Sequence, residues 1–177
     1  SVLHNNQELV DYLADRLVEL GDSVPDTIEG CSISNSNPFN DKALFDFENY
    51  PDDLFVEPGT KIPNRVGFSK VASWLNTHSR QKHGRPLFVA MSADLADSTN
   101  ISGFAKGWGD AEDLGMYDKE KNPNSPLMPQ GITEFTNAGM MAGLSTVNFN
   151  KDTLEQYNGF IGSFSTYGSF SYLKYGP

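Results

Sequence analysis

The sequence predicts an α/β fold: a doubly wound, mostly parallel sheet with helices on both faces, preceded by a helix and a long irregular arm. Two observations support this prediction. Beyond residue 63, helix-like and strand-like patterns alternate along the chain. The segment 86–91 is a continuous apolar run, as expected for a strand that is buried on both faces of a parallel sheet.

The chain before residue 64 contains one helical pattern and then a long segment without periodicity. Residues 5–20 carry apolar side chains at helical spacing, and Gly21 is suited to end this helix. Residues 22–63 are rich in Asn, Asp, Ser and Pro, with scattered aromatic residues, namely Phe39, Phe45, Phe47, Tyr50 and Phe55. Since aromatic side chains are uncommon in disordered linkers, we expect an extended arm that docks on another surface.

The remaining elements are a helix over 69–78, in a region that Gly84 ends, a strand over 86–91, a helix over 134–145 and a strand over 159–164. Val71, Trp74 and Leu75 face the core in the first of these helices, and the Gly-, Asn- and Pro-rich residues 98–130 are predicted to be irregular. We divide the chain into a helix and arm, residues 1–63, and the N-terminal part of an α/β domain, residues 64–177. The helical pattern is unfinished at residue 177, so we expect a piece of a longer protein.

The composition narrows the classes of partner and compartment. The net charge of −10, from 13 basic and 23 acidic residues, argues against nucleic acid or an anionic membrane as the main partner. The single cysteine, Cys31, allows no internal disulfide, which fits a reducing, cytoplasmic setting. No apolar run reaches membrane-spanning length, and the first residues do not form a signal peptide pattern.

Glu134 is the first candidate for chemistry. It lies at the start of a predicted helix that is apolar enough to be buried, directly after a Pro-rich loop. Burial of an ionised carboxylate without a partner is strongly unfavourable, so such a group either takes up a proton or finds a donor. Both outcomes are useful in catalysis, and buried, perturbed carboxylates cluster at functional sites.

A second group of candidates follows the predicted strand 86–91. Asp94 lies at its C-terminal end, and Ser98 is close behind it in a loop. In an open parallel sheet, ligands collect beyond the carboxyl ends of the strands, and a hydroxyl such as that of Ser98 could donate to a phosphate. The alternative is that Asp94 caps the next turn.

The other chemically active side chains have simpler interpretations. Tyr167 and Phe170 would share one face, with Phe164 nearby, either as ordinary core or as a clamp for a flat ligand. The histidines show no zinc-ligand spacing and are expected to be exposed to solvent, namely His4, His78 and His83. The acidic cluster at residues 110–120 is predicted to be a solvated loop.

Three segments resemble, in order, parts of transketolases. Met91 to Asn100 resembles their Ser-Ala-Asp-Leu segment, and Gly131-Ile132-Thr133-Glu134 resembles the segment that carries their cofactor-activating glutamate. Residues 160–170 resemble the aromatic stretch that encloses the aminopyrimidine ring of thiamine diphosphate. The likeness covers roughly residues 60–177, the first part of the family's pyrimidine-binding domain.

The resemblance implies a role for each candidate in a transferase that moves two-carbon ketol units between sugar phosphates. Glu134 would be catalytic, exchanging a proton with the aminopyrimidine, and Asp94 would lie near the thiazolium ring. Phe164, Tyr167 and Phe170 would pack on the pyrimidine. Ser98 and Arg65 would contact the phosphate of the substrate.

The resemblance also implies what this chain would not hold. The Gly-Asp-Gly…Asn motif that binds Mg²⁺ and the diphosphate is missing, and Gly109-Asp110-Ala111 only partly matches it. In this superfamily that half of the site comes from another domain. The pocket closes across the interface of a homodimer, so this chain alone would be inactive.

Two alternatives remain open. Transketolases usually have His directly after the glutamate, whereas this chain has Phe135, as homodimeric pyruvate dehydrogenase components have an apolar residue there. The substrate would then be a 2-oxo acid such as pyruvate. In the other alternative the chain is a non-catalytic interaction module, in which Glu134 interacts only with the helix dipole and Tyr167 and Phe170 are core.

Overall fold

The computed structural model describes residues 5–23, 33–109, 115–150 and 156–168. The chain divides into two compact units, Ser1–Ser32 and Ile33–Pro177. The first contains helix α1 (Gln7–Asp22), which begins where the Asn6 side chain accepts a hydrogen bond of 3.0 Å from the Leu9 N–H. This helix confirms the predicted one, shifted by two residues. Among the described helices, none is long and apolar enough to cross a membrane.

The second unit is built on a three-stranded parallel sheet. Its strands are β1 (Phe88–Ser92), β2 (Leu127–Met128) and β3 (Ile161–Ser165), and their spatial order is β2-β1-β3. β1 pairs with β3 along its whole length, from Phe88 opposite Ile161 to Ser92 opposite Ser165. This confirms a mixed fold of helices and parallel strands. The short strand β2 lies in a segment that was predicted to be irregular, so that prediction was wrong there.

Two long helices cover opposite faces of this sheet. Successive residues of a strand point to opposite faces. Ala90 of β1 packs with Ala72 of α3 (Asn64–His83), whereas Met91 packs with Met141 of α4 (Glu134–Leu144). β1 is therefore buried on both sides, which explains its uninterrupted apolar sequence.

Helix α3 is joined to β1 by one fully buried amide. Asn76 donates through Nδ2 to the carbonyls of Phe88 (3.0 Å) and Phe104 (2.9 Å) and accepts through Oδ1 from the N–H groups of Leu87 (3.0 Å) and Phe88 (2.7 Å). The amide thus makes four hydrogen bonds, which satisfies a side chain with no exposure to water. The helix ends where Gly84 adopts φ 70°, as the sequence predicted.

The described part of the arm docks on α3 and is not structureless. Of the aromatic residues predicted to dock, Phe39 and Tyr50 pack there, whereas the other three are exposed, namely Phe45, Phe47 and Phe55. This part of the arm contains the short helix α2 (Lys42–Phe45) and three 3₁₀ turns. Asn or Asp side chains cap the start of α2 and of the first two turns, whereas the third has no side-chain cap. Leu44 of α2 is buried against Leu75 and Leu87. The arm therefore shares a core with α3. The division into residues 1–63 and 64–177 stays a prediction about function.

Asp41 fixes the arm to the last turns of α3. Its buried carboxylate lies 2.9 Å from Lys82 Nζ, 3.0 Å from His83 Nε2 and 3.2 Å from His78 Nε2. Burial alone would raise the pKa of Asp41, but the hydrogen bonds from Lys82, His83, the Ala43 N–H and His78 outweigh it and hold the pKa well below its ordinary range. The prediction that His83 is solvent-exposed was wrong, since its side chain is 9 % exposed. Its partner lies far away in sequence.

The amino end of the sheet is closed by Arg85. Its guanidinium is buried against the rings of Phe149 and Phe160, at 5.0 and 4.9 Å from their centroids, and donates to the Gly159 carbonyl. Within the described ranges no salt bridge joins Arg85 to a carboxylate. Burial accordingly lowers the pKa of Arg85 from its ordinary value.

Replacement of Asp41 tests this anchor. We expect Asp41→Asn to lower the free energy of unfolding by about 2–4 kcal/mol at pH 7, because the charged donors lose their acceptor. The native pKa is depressed, so the stabilisation is complete above the unfolded-state pKa of about 3.9 and is lost as pH falls below it. Urea unfolding of both proteins at pH 7 and in a series below pH 4 measures this. The control Asp53→Asn, exposed on the same arm, should change stability by less than about 0.5 kcal/mol. If the difference in unfolding free energy between the wild type and Asp41→Asn were the same at low pH as at pH 7, this account would be wrong.

Candidate functional site

The carboxyl ends of all three strands meet at one edge of the sheet. Directly after β1 the chain still pairs with β3: the Ala93 N–H donates to the Ser165 carbonyl at 3.1 Å. The Asp94 N–H then lies 3.2 Å from the carbonyl of Gln130, which follows β2. Asp94 therefore lies where the ends of β1, β2 and β3 converge, with its side chain exposed.

The two connections between the strands pass over opposite faces of the sheet. The link from β1 to β2 crosses the α3 face, where Phe104 packs with Ala72. The link from β2 to β3 crosses the opposite face through α4, and β3 lies on the other side of β1. In open α/β sheets, ligands bind beyond the carboxyl ends of the strands at the point where the winding reverses. Here that point lies between β1 and β3.

Glu134 is buried next to this point, at the first turn of α4. Its side chain is 1 % exposed, and its Oε1 lies 3.4 Å from the Thr166 hydroxyl, which donates to it. Because Thr166 directly follows β3, the contact joins the start of α4 to the end of that strand. The burial predicted for Glu134 is confirmed. The helix itself is buried on one face only, and Phe135 is 77 % exposed.

The loop after β1 contacts the loop after β3 through two hydroxyls. Ser98 Oγ and Tyr167 Oη are 2.6 Å apart, and the Tyr167 side chain is 38 % exposed. Nearby in the same loop, Asn100 Oδ1 accepts a 2.9 Å hydrogen bond from Arg65 Nε. The structure thus brings Ser98 and Tyr167 together, and it connects Arg65 to the loop that carries Ser98.

The other two predicted aromatic residues differ in how they are placed. Phe164 belongs to β3 and packs on the face of α4, against the cluster that contains Met91 and Met141. Phe170 lies outside the described residues. Sequence reasoning assigned no role to Thr166. The one indication in the sequence was its position beside Tyr167, within the segment 160–170 that contains the other aromatic candidates.

Two residues of the loop after β1 have an unusual backbone conformation. Asp94 and Asn100 have φ of 69° and 61°, the left-handed region, where Asp and Asn are tolerated better than other residues with a Cβ. Such conformations occur often at functional sites, where the surrounding structure holds them in place. The loop between them is therefore held in a defined shape rather than being a simple connection.

A separate cavity of about 510 Å³ lies beyond the end of β2, where Pro129 forms part of its wall. Asp118 and Lys121 also line it. The Asp118 carboxylate accepts the N–H groups of Lys121 and Glu120, which lower the pKa of Asp118, so this residue of the acidic cluster shapes a turn. In the part of the chain that the structure describes, no three His, Cys, Asp or Glu side chains are grouped to hold a metal ion.

The backbone and the carboxylate of Asp94 can be tested separately. Glycine accepts a positive φ, so we expect Asp94→Gly to keep the free energy of unfolding within about 1 kcal/mol. Asp94→Val should lower it by roughly 1–2 kcal/mol or more, because a β-branched residue is strained there. Thermal and urea unfolding measure both. The control Asp97→Val, in the same loop without a positive φ, should have a smaller effect. Equal losses for Gly and Val at position 94 would show that the carboxylate, and not the backbone, stabilises this loop.

Comparison of the chain with protein-family models, with curated proteins and with solved structures gives no match.

Proposed function

We propose that this chain is a segment of a transketolase-like, thiamine-diphosphate-dependent enzyme, and that it binds the aminopyrimidine half of the cofactor. The main support is one observation: a carboxylate, Glu134, is buried in the first turn of α4, next to the carboxyl end of β3, and receives a hydrogen bond from Thr166. In this proposal the three strands are part of a larger, doubly wound sheet with helices on both faces.

The residues at this edge of the sheet have the chemical groups that an aminopyrimidine needs. A flat, polar heterocycle needs a carboxylate for its ring nitrogen and an apolar or aromatic surface for its face. Glu134 supplies the first, and Tyr167, half exposed and held by Ser98, supplies a ring surface. Phe164, on the α4 face of β3, would pack beside the heterocycle, and Asp94 lies at the same edge of the sheet.

Thiamine diphosphate, when bound, supplies the nucleophilic carbon that cleaves a carbon–carbon bond next to a carbonyl. The task of this chain is proton control and orientation. Glu134, out of contact with water, holds or shares a proton at the ring nitrogen. Tyr167 would orient the ring by contact with its face.

The substrate that we favour is a sugar phosphate, which gives two-carbon ketol transfer. Ser98 offers a hydroxyl in the loop after β1. Arg65 brings a cation to the same loop through its hydrogen bond to Asn100. On this proposal Mg²⁺ and the diphosphate are held by a part of the enzyme outside this chain. The site is completed in a cytoplasmic homodimer.

One observation favours a second substrate class. Phe135 directly follows Glu134, is 77 % exposed, and presents an apolar surface where a transketolase has a histidine. A 2-oxo acid such as pyruvate, which needs no phosphate site, suits that environment better. The two substrates share the proposed role of Glu134 and differ in the need for Ser98 and Arg65.

Replacement of Glu134 in the full-length protein tests the proposal. We expect Glu134→Gln to lower thiamine-diphosphate-dependent turnover by at least about 100-fold while the fold is kept, because an amide cannot exchange the proton. Turnover is measured with xylulose 5-phosphate plus an aldose phosphate, and separately with pyruvate, each with Mg²⁺. The matched control is Glu120→Gln in an exposed turn, which should leave turnover unchanged. Full activity of Glu134→Gln, or no cofactor-dependent turnover of either substrate by the wild type, would refute the proposal.

A further inference from the structure

We propose that Thr166 is a positioning residue for Glu134: its hydroxyl holds one carboxylate oxygen in place and favours the ionised form of the group. This inference rests on the proposed function and deepens it. It is carried by a contact that joins two separate elements, the end of β3 and the first turn of α4.

The backbone of Thr166 is held by the sheet. Ser165, directly before it, pairs with Ser92 in the last register position of β1 and β3, and its carbonyl accepts from the Ala93 N–H at 3.1 Å. The chain leaves the sheet only after this bond. The position of Thr166 is therefore set by strand pairing and not by a mobile loop.

The side chain is equally constrained. Threonine is β-branched, so few χ1 rotamers are open to it, and Thr166 is half-buried. Its hydroxyl lies 3.4 Å from Glu134 Oε1, which is longer than the roughly 2.5–3.0 Å usual for an O–H···O hydrogen bond. Hydrogen bonds of catalytic groups are often long without ligand and shorten in the complex.

The start of α4 is held independently of Thr166. The Asn137 N–H donates to the Thr133 carbonyl at 2.9 Å, and the Thr133 hydroxyl donates to Asn137 Oδ1 at 3.2 Å. Asn137 is fully buried. The helix therefore does not need the Thr166 hydroxyl to form, and the contact to Glu134 acts on the carboxylate rather than on the fold.

A donor to a carboxylate has a predictable effect on its proton. A hydrogen bond to the charged form stabilises that form, so removal of the donor makes the carboxyl group bind its proton more tightly. Since Glu134 exchanges a proton with the cofactor in the proposed function, the change appears in the pH dependence of turnover. A purely structural threonine would leave that dependence unchanged.

The experiment compares Thr166→Val and Thr166→Ser with the wild type in the full-length protein. Valine keeps the shape and removes the hydroxyl, whereas serine keeps the hydroxyl. With thiamine diphosphate and Mg²⁺ present, we expect Thr166→Val to move the acid limb of the pH–rate profile up by about half to one pH unit. Turnover at the optimum should fall about 3- to 10-fold. Thr166→Ser should restore most of both. The control Thr136→Val, exposed on α4, should match the wild type.

The outcomes separate this inference from the proposed function. If the wild type is active and Thr166→Val has the same acid limb as the wild type, the positioning role is wrong. The proposed function of Glu134 then still stands. A loss of thermal stability in Thr166→Val with an unmoved acid limb overturns it as well, because that is the result of a packing role. A wild type without cofactor-dependent activity overturns both proposals, and only the combination of a shifted limb with rescue by serine supports this one.

Discussion

The parallel pairing of β1 with β3 is the constraint on which the rest of the second unit depends. The two strands are distant in sequence, yet their register runs from Phe88 opposite Ile161 to Ser92 opposite Ser165. A shift by one residue would turn every side chain of β3 to the other face of the sheet. It would also carry Thr166 away from Glu134 and Tyr167 away from Ser98. The candidate site therefore exists only in this register.

Polar groups with long-range partners hold the layers in this arrangement. Asn76 uses all of its hydrogen-bonding capacity to join α3 to β1, and Asp41 uses a buried carboxylate to join the arm to α3. Each such group is destabilising if it loses its partners, since an unpaired polar atom in the interior costs about 1–3 kcal/mol. The fold is thus specified by groups that tolerate few alternative arrangements, in addition to its apolar clusters.

Local patterns explain what the sequence could predict. The apolar run of β1, the stop at Gly84 and the buried carboxylate at the start of α4 all follow from neighbouring residues. β2 could not be predicted, because two residues show no period and pair only through Ala90 and Met91. The burial of His83 and the contact of Thr166 could not be predicted either, since their partners Asp41 and Glu134 lie far away along the chain.

The two ends of the sheet differ in a way that bears on where a ligand can bind. At the amino end, the guanidinium of Arg85 is buried against two aromatic rings, so a cation is already enclosed there. At the carboxyl end, Asp94, Ser98 and Tyr167 are exposed, and the carboxylate of Glu134 is buried beside the hydroxyl of Thr166. Among the described residues, Arg65 reaches the loop after β1, where it already donates to Asn100. A ligand that carries several phosphates therefore needs positive charge from beyond this edge, whereas a neutral heterocycle does not. The edge is accordingly better suited to the aminopyrimidine half of the proposed cofactor than to its diphosphate.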